Sequence, residues 1–278
     1  MRIARYDAGA GARLGAVVGD SIVDVGPDAI HDVISTWETA RDAIADAVRS
    51  GEKRALSSVH LLAPVRRPGK IFAIGLNYAD HIAESKTETP AHQVWFVKAV
   101  TSVNGPNDPI LIAAKGPFVD YEVELVAVIG KRGRNIAKHD AASHVFGYCV
   151  GNDVTERFWQ HRTPQWSLGK SFDTHAPIGP WITTADEVVD PHALGLRCFV
   201  NGEKRQDSNT KHLVFNIWDQ IEHLSQAMTL EPGDLIFTGT PGGVGAAMDP
   251  RQFLKAGDVV RCEVDGLGAV EAKMVAEA

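Results

Sequence analysis

The chain has 278 residues and a formal net charge of -7, a composition typical of a globular protein with a sizeable core. The acidic balance and the absence of a Lys/Arg-rich run argue against a nucleic-acid binder. No apolar stretch approaches about eighteen residues, which argues against a membrane protein. Cys149, Cys198 and Cys262 lack Cys-x-x-Cys spacing, so we expect buried thiols in a cytoplasmic protein.

Short runs of alternating apolar and polar residues open the chain and predict a small β-meander over about residues 2–25, with a turn at Gly19-Asp20. Apolar residues at mostly helical spacing from about Asp28 to Ser50 then predict a helix closed by Gly51. A proline-bounded connector follows at 63–69. We therefore predict a small N-terminal α+β domain over residues 1–64 and a larger domain over residues 65–278.

Strands dominate the larger domain, so the predicted fold class is mixed α/β and mostly β. A helical pattern of apolar residues interrupts the strands at 216–228. Asn201-Gly202 and Asp265-Gly266 are typical of hairpin turns. The predicted strands cover residues 71–74, 111–113, 122–129, 145–152, 181–183, 196–201, 235–238, 259–264 and 268–276.

Two acids, Glu122 and Glu124, lie one residue apart in the apolar strand predicted at 122–129. Side chains two residues apart point to the same face of a strand, so both carboxylates should lie together. Burying two unpaired anions is costly, and a cation that prefers oxygen ligands would relieve this cost. The alternatives are a solvated edge strand or neutralisation by two nearby bases.

Asp153 is a candidate third acid, because it follows an apolar strand at the Gly151-Asn152 turn, and strand ends commonly carry functional side chains. The alternative is that Asp153 caps the next helix, since Glu156 three residues later completes the capping-box pattern.

Five sequence blocks in order resemble the fumarylacetoacetate hydrolase family, in particular its acylpyruvate hydrolase and 2-hydroxyhepta-2,4-diene-1,7-dioate isomerase branch. The resemblance covers about residues 65–278, and the N-terminal region is similar to the small leading domain of many members. It implies a β-roll catalytic domain. The five blocks are residues 77–84, 120–124, 151–157, 169–174 and 238–245.

The resemblance implies that Glu122, Glu124 and Asp153 bind Mg²⁺, Mn²⁺ or sometimes Ca²⁺. Three carboxylates leave open positions on a cation that prefers six oxygens. A small 2-oxo or 1,3-diketo acid could fill these positions with two adjacent oxygens, and the metal would stabilise negative charge on an enolate oxygen.

His81 and Glu84 have helical i, i+3 spacing, and the resemblance makes them the acid/base pair that activates water. Without the resemblance, an incidental pair on a surface helix would be the simpler interpretation of His81 and Glu84. A carboxylate raises the basicity of a neighbouring imidazole, which suits a general base. We expect the polar segment Ser85–His92 to be a lid over the substrate.

The resemblance also gives Lys170 a catalytic role, which is to stabilise an oxyanion or to protonate a carbanion. Arg157, Gln160 and Thr240 are candidate substrate anchors, and backbone N–H groups of the Gly-rich turn at Thr240 could bind a carboxylate. Each has a structural alternative: an ion pair for Lys170 or Arg157, and a plain tight turn for Thr240.

Lys98 matches a family lysine near the substrate wall, and we expect it to contact substrate. The family has prolines after this lysine, whereas this chain has Ala99 and Val100. This difference does not affect the expected metal ligands, but it leaves the identity of the substrate undetermined. His175 occupies a place that an aromatic residue often holds, so we interpret it as packing or support.

The sequence therefore predicts a divalent-metal enzyme that hydrolyses a C–C bond of an acylpyruvate-like acid through a metal-bound enolate. Members of the family also isomerise or decarboxylate related acids, such as dienedioates and oxaloacetate, so fold and ligands do not choose the reaction. A non-catalytic oxo-acid-binding protein is the alternative of another class. The resemblance further implies a homodimer.

Overall fold

The computed structural model describes residues 1–84 and 88–277, and its N-terminal part contains the predicted β-meander. The helix predicted over residues 28–50 is instead two helices, α1 and α2. The break lies at Thr36, whose hydroxyl donates to the Asp32 carbonyl at 2.7 Å, a local bond that competes with helix continuation. The elements are β1 (Arg2–Asp7), β2 (Ala12–Val18), β3 (Ser21–Pro27), α1 (Ile30–Ser35), α2 (Trp37–Ser50), β4 (Lys53–Ala55) and β5 (His60–Leu62).

The remainder is mostly β-structure, as predicted. Strands β7 and β16 and the two-residue strands β8, β10 and β13 were not predicted. The sequence of β16 is polar throughout, so it shows no apolar alternation. The elements are β6 (Ile71–Gly75), α3 (Ala79–Glu84), β7 (Val94–Val97), β8 (Val103–Asn104), β9 (Ile110–Ile112), β10 (Val119–Asp120), β11 (Val123–Ile129), β12 (Val145–Asn152), β13 (Thr155–Glu156), α4 (Arg157–His161), β14 (Ala176–Thr184), β15 (Gly195–Val200), β16 (Glu203–Asn209), α5 (Ile217–Ala227), β17 (Leu235–Phe237), β18 (Val259–Val264) and β19 (Gly268–Ala276).

The described strands form one large mixed sheet, one five-stranded sheet and the short pair β10–β13. The large sheet has the order β4-β3-β2-β1-β14-β12-β11-β17-β6-β7, with β5 beside β1 and β8 beside β14. The smaller sheet has the order β16-β15-β18-β19-β9. Because β1 pairs with β14, with Arg2 opposite Thr183, the N-terminal meander continues the sheet of the larger region.

Strand β11 is buried on both faces at the centre of the large sheet. On one face, residues such as Leu125 pack in the core that also contains residues of the smaller sheet. On the other face, Val126 and Val128 pack in the core that also contains residues of α1. Glu124 alternates with Val126 and lies on the latter face. The strand therefore carries its acids into the interior.

Helix α5 matches the predicted helix, and the side chain of Asn216 caps it by accepting from the backbone of Trp218 and Asp219. No helix among the described residues is long and apolar enough to cross a membrane. The three cysteines are buried and free, as predicted. Cys198 and Cys262 lie opposite each other on β15 and β18, with their sulfurs 3.7 Å apart.

Candidate active site and metal centre

Three carboxylates meet where β11 and β12 lie side by side. Glu122 immediately precedes β11, Glu124 lies within it, and Asp153 immediately follows β12. The two strands are antiparallel, and the Asp153 N–H donates to the Glu122 carbonyl at 2.9 Å. One oxygen from each carboxylate lies within 4.8 Å of the others, and all three residues are buried. The two acids predicted to share a face are thus together, with the third beside them.

Asp153 does not cap the following helix. Helix α4 begins at Arg157, and its N-cap is Glu156, whose carboxylate accepts from the Trp159 N–H at 2.7 Å. The capping alternative for Asp153 is therefore wrong, because the neighbouring acid already occupies that position.

Two buried lysines neutralise part of the acidic charge. The Lys170 Nζ donates to Glu122 Oε2 at 2.8 Å and to Asp153 Oδ2 at 2.6 Å. The Lys98 Nζ donates to the other oxygen of Asp153 at 2.6 Å and to the Lys170 carbonyl. Burial lowers the pKa of Lys170, but Asp153 and Glu122 outweigh burial and raise it overall. Lys170 therefore stays positively charged at neutral pH.

Glu124 differs from its two neighbours, because no Lys or Arg lies within ion-pair distance of it among the described residues. Its Oε2 accepts the Gly239 N–H at 2.6 Å. Burial, followed by the charges of Asp153 and Glu122, raises the pKa of Glu124 well above its ordinary value. At Glu122, burial also raises the pKa, but Lys170 and Arg157 together outweigh burial and lower the pKa to about 2.

The donor set fits a divalent cation. Three carboxylates supply hard oxygen ligands, which Mg²⁺, Mn²⁺ and Ca²⁺ prefer. Glu124 has no ion-pair partner among the described residues, and burial and the neighbouring acids disfavour its ionised form, so an additional positive charge would be most favourable there. Glu122, Glu124 and Asp153 are therefore the residues that could hold such an ion.

Arg157 is anchored by an acid to which the sequence interpretation gave no role. Its Nε and Nη2 donate to Asp120 Oδ2 at 2.9 and 2.8 Å, and its Nη1 lies 2.7 Å from Glu122 Oε1. Asp120 is fully buried and also accepts the N–H groups of Gly245 and Ala246. The position of Asp120 at the start of the Asp-Tyr-Glu-Val-Glu block was the sequence feature that could have indicated this role.

Gln160 and Thr240 lie in the same region. The Gln160 Oε1 accepts from Arg157 Nη1 at 3.1 Å. The Thr240 hydroxyl donates to the Val123 carbonyl and accepts from Gln206, both at 2.9 Å. Both residues also line the cavity described below.

The Gly-rich turn at Thr240 binds carboxylates of the chain itself. The sequence pattern predicted that the backbone N–H groups of this turn could bind a carboxylate. Four of the chain's own acids are bound there, so the turn orders the acids of the site. The contacts are Gly239 to Glu124, Gly242 to Asp80, Gly243 to Glu84, and Gly245 and Ala246 to Asp120.

His81 and Glu84 lie on the six-residue helix α3. The Glu84 carboxylate accepts the Gly243 N–H at 2.9 and 3.0 Å. Its Oε2 lies 3.5 Å from His81 Nδ1, which has no hydrogen-bond partner in the described structure. The contact is an ion-pair distance and longer than a hydrogen bond. Catalytic hydrogen bonds are often long in enzymes without substrate.

A cavity of about 420 Å³ joins these parts. Glu122 is the acid of the triad that lines it, while Glu124 and Asp153 are more deeply buried. His161 and Trp166 also line it and were not predicted. The lining residues are Ile74, Gly75, Leu76, His81, Glu84, Glu122, Arg157, Gln160, His161, Trp166, Lys170, Thr240, Val244, Ala246 and Ala247.

Lys98 is not among the residues that line this cavity, in contrast to the expectation that it contacts substrate. Its side chain is fully buried and bonds to Asp153 and the Lys170 carbonyl, so it supports the acids from the protein side. His175 is packed beside Phe172 with Nε2 2.9 Å from the Leu111 carbonyl. Residues 85–87 of the predicted lid Ser85–His92 lie outside the described residues.

Two family descriptions match the chain. Residues 70–275 match "Fumarylacetoacetate (FAA) hydrolase C-terminal", and residues 1–64 match "Rv2993c-like, N-terminal". Among curated proteins, oxaloacetate tautomerase fahd2, mitochondrial, from Xenopus laevis is 44% identical over 266 residues, covering 92% of this chain and 83% of that protein.

Two solved structures are similar over all of both chains. One is maleylpyruvate hydrolase from Sphingobium sp. SYK-6 in complex with manganese(II) and pyruvate, with a TM-score of 0.87 and 36% identity. The other is 5-carboxymethyl-2-hydroxymuconate delta-isomerase from Mycobacterium smegmatis, with a TM-score of 0.82 and 34% identity. These relatives are enzymes that act on small organic acids.

Proposed function

Since the chain belongs to the fumarylacetoacetate hydrolase family, we propose that it hydrolyses a C–C bond of a small 1,3-diketo acid of the acylpyruvate type with a divalent metal. One observation carries this proposal: Glu122 of the carboxylate triad and the His81–Glu84 pair line the same cavity. The manganese and pyruvate bound to maleylpyruvate hydrolase support a metal and a 2-oxo acid at such a site.

Glu122, Glu124 and Asp153 would hold the ion, with Mg²⁺ or Mn²⁺ as first choices and Ca²⁺ as a third. When bound, the ion supplies Lewis-acid stabilisation of negative charge on substrate oxygens. Lys170 places its ammonium group on the same wall of the cavity, where it stabilises the same developing charge. Arg157, Gln160 and Thr240 orient the substrate oxygens.

The hydrolytic step begins with His81, which takes a proton from water as the water oxygen attacks the distal carbonyl carbon. Glu84, fixed by the Gly243 N–H, stabilises the resulting imidazolium. The bond between this carbon and C3 then breaks, and its electron pair passes to the pyruvate fragment as an enolate. His81 returns the proton to C3. Water and an acylpyruvate thus give a carboxylic acid and pyruvate.

Keto–enol tautomerisation of oxaloacetate is the second candidate. It is favoured by the 44% identity to a curated protein named oxaloacetate tautomerase. His81 would then move one proton between carbon and oxygen without attack by water. Decarboxylation or dienedioate isomerisation would use the same residues. A non-catalytic binder has no need of His81, Glu84 and Lys170 around one cavity, which argues against that alternative.

A mass-resolved product assay distinguishes these reactions. The full chain is incubated with acylpyruvates, oxaloacetate and 2-hydroxy-dienedioates, with Mg²⁺ and separately with a chelator. We expect an acylpyruvate to give pyruvate and a free acid, with the mass of one water added, only when Mg²⁺ is present. Conserved mass with a spectral change would favour tautomerisation or isomerisation. Absence of metal-dependent turnover on the whole panel would contradict both candidates.

We also propose a homodimer and a cytoplasmic location, as the sequence analysis expects. The buried free thiols agree with a reducing compartment. Light scattering of the purified chain tests the dimer, and a molecular mass near 30.0 kDa, that of one chain, would contradict it.

A further inference from the structure

Strand β16 is an edge strand of the smaller sheet, where it pairs with β15. Gln206 lies opposite Cys198 and Ser208 lies opposite Leu196, and both partners are buried in the core that also contains residues of β11. Side chains that lie opposite each other, or two residues apart on one strand, point to the same face of a sheet. Gln206 and Ser208 therefore face this core, although β16 has a polar sequence.

Gln206 is 1% exposed and makes three hydrogen bonds to residues beside the metal centre. Its Oε1 accepts the Val123 N–H, and its Nε2 donates to the Thr240 hydroxyl and to the Pro241 carbonyl, each at 2.9 Å. The Thr240 hydroxyl in turn donates to the Val123 carbonyl. Gln206 therefore fixes, directly and through Thr240, both backbone polar groups of the residue that lies between the two glutamates of the triad.

The Gln206 amide takes the place of a strand beside the first residues of β11. Strand β12 pairs with β11 from Val123 onward, whereas β17, on the opposite side, pairs only with the stretch Val126–Val128. A buried N–H group needs a hydrogen-bond partner, and Val123 is fully buried. Loss of the Gln206 side chain would leave this N–H unpaired at the end of β11 where the two glutamates lie.

Ser208 makes a contact of the same kind with helix α3, which carries the acid/base pair. Its Oγ donates to Asp80 Oδ2 at 2.8 Å, and Asp80 Oδ1 accepts the His81 N–H at 2.8 Å. Asp80 lies in the first turn of the helix. Because the bond between Ser208 and Asp80 is exposed, water competes for it, and the helix is held less firmly than β11.

The Gly-rich turn at Thr240 packs directly on β16. An added Cβ at Gly243 would lie 2.1 Å from the Arg205 carbonyl oxygen and 3.3 Å from the Gln206 Cα, so the turn and the strand leave no space for a side chain there. The Gly243 N–H in turn binds the Glu84 carboxylate. The strand that carries the glutamates and the helix that carries the acid/base pair are therefore both fixed to β16.

We propose that Gln206 and Ser208 are positioning residues, which hold the His81–Glu84 pair at a fixed distance from the carboxylate triad. This inference rests on the proposed function, because it assigns the two residues to the geometry of that reaction. Neither residue lines the active-site cavity, so neither is a catalytic residue. The two contacts predict different defects: loss of Gln206 should weaken metal binding, and loss of Ser208 should slow the chemical step.

The Ser208 contact is tested with S208A in the full chain, loaded with Mg²⁺ and assayed with the acylpyruvate that wild type turns over fastest. We expect kcat to fall roughly three- to tenfold, which corresponds to one hydrogen bond, with KM and Mg²⁺ affinity unchanged. Hydrogen exchange in the metal-free protein should become faster in residues 79–84 and stay unchanged in β11. This second readout does not depend on turnover.

Variants of Asp80 separate positioning from a general loss of structure. D80N should keep most of the activity, because its amide can still accept the His81 N–H and bond to the Ser208 hydroxyl. D80A should lose at least as much as S208A, and S208A/D80A should lose no more than D80A, since both changes break the same contact. The matched control is D207A, because Asp207 is exposed on the opposite face of β16 and pairs with Lys204 of the same strand.

The Gln206 contact is tested by calorimetric titration of Mg²⁺ into metal-free Q206A. We expect roughly tenfold weaker binding, as for other residues that support metal ligands. Q206N, whose amide is one methylene shorter, serves if Q206A does not fold. T210V is the control for lost stability alone, because the buried Thr210 hydroxyl accepts the Leu194 N–H at 2.9 Å, at the far end of β16. Its Mg²⁺ affinity should match that of wild type.

The outcomes distinguish this inference from the proposed function. Wild-type Mg²⁺ affinity in folded Q206A or Q206N would overturn the role of Gln206. Wild-type kcat in S208A, or additive losses in S208A/D80A, would overturn the role of Ser208. Failure of wild type itself to bind Mg²⁺ or to turn over any acid of the panel would overturn the proposed function, while hydrogen exchange in S208A would still decide whether Ser208 holds α3.

Discussion

The two halves of the active site are built differently. The inner half consists of Glu122, Glu124 and Asp153 beside two central strands, with side chains at most 7% exposed. The outer half is His81 and Glu84 on a six-residue helix, with side chains 13% and 26% exposed. The inner half is fixed by the sheet and by buried bases, whereas the outer half depends on one turn and on β16. Substitutions in the inner half should therefore affect mainly folding, and substitutions in the outer half should affect mainly proton transfer.

The largest effect should come from the outer half, where H81Q removes the general base. We expect kcat to fall roughly 10²- to 10⁴-fold on the substrate that the product assay identifies. Metal affinity and the free energy of unfolding should stay near the wild-type values, because among the described residues His81 makes no hydrogen bond or ion pair to Glu122, Glu124 or Asp153. Steady-state kinetics and urea unfolding check this. A loss of metal affinity as large as the loss of kcat would contradict the separation.

In the inner half, D153N should destabilise the metal-free protein. The substitution leaves the buried Lys98 without its carboxylate and removes one of two from Lys170, which we expect to cost about 3 kcal/mol. E124Q is the matched control, because no lysine or arginine among the described residues pairs with Glu124 and the amide oxygen can still accept from Gly239. Urea unfolding should show E124Q within about 1 kcal/mol of wild type. Equal stability of both variants would show that the lysines do not depend on Asp153.

The turn that links the halves can be tested with G243A. Gly243 has φ +98°, and an added Cβ would lie 2.1 Å from the Arg205 carbonyl oxygen, so the turn must shift. We expect a loss of about 1–3 kcal/mol in stability and a fall in kcat, because the Gly243 N–H fixes Glu84. G266A, with φ +76° and open space around the added Cβ, is the control for backbone strain alone. It should reduce stability and leave kcat unchanged.

The smallest effect concerns His175, which is buried behind the inner half. Burial, with a contribution from Lys98, lowers the pKa of His175 to about 3, whereas the pKa of a histidine in an unfolded chain is about 6.5. Between these values the unfolded state binds more protons, so this group reduces stability as the pH falls below about 6.5. From pH 7 to 5.5, wild type should lose about 1 kcal/mol more than H175Q. Equal losses in urea unfolding at the two pH values would contradict this.

The inner half could largely be predicted from sequence, because strand alternation is local. Glu122 and Glu124 share a face at the end of a buried run, and the apolar strand before Asp153 ends beside them. The role of Asp120 could not be predicted this way. Its partner Arg157 is 37 residues away, and the backbone donors at Gly245 and Ala246 are still more distant in sequence.

Likewise, the neighbouring sequence does not determine which way a buried lysine side chain points. Lys98 follows β7 with a motif that placed it at the substrate wall, but tertiary packing turns it toward Asp153. The break between α1 and α2 at Thr36 could not be predicted from sequence either, because the helical spacing of apolar residues continues across it. Sequence patterns gave the elements and the acids, while long-range contacts determined which base neutralises which acid.

Isothermal titration of Mg²⁺ and Mn²⁺ into the metal-free wild type and into E124Q tests the central claim most directly. We expect one ion per chain in wild type and no measurable binding in E124Q, with nearly equal unfolding free energies for the two metal-free proteins. Because Glu124 is the acid of the triad with no ion-pair partner in the described part of the chain, its loss should remove metal binding with little cost to the fold. Undiminished metal binding by a folded E124Q would contradict the assignment of the three carboxylates as a metal centre.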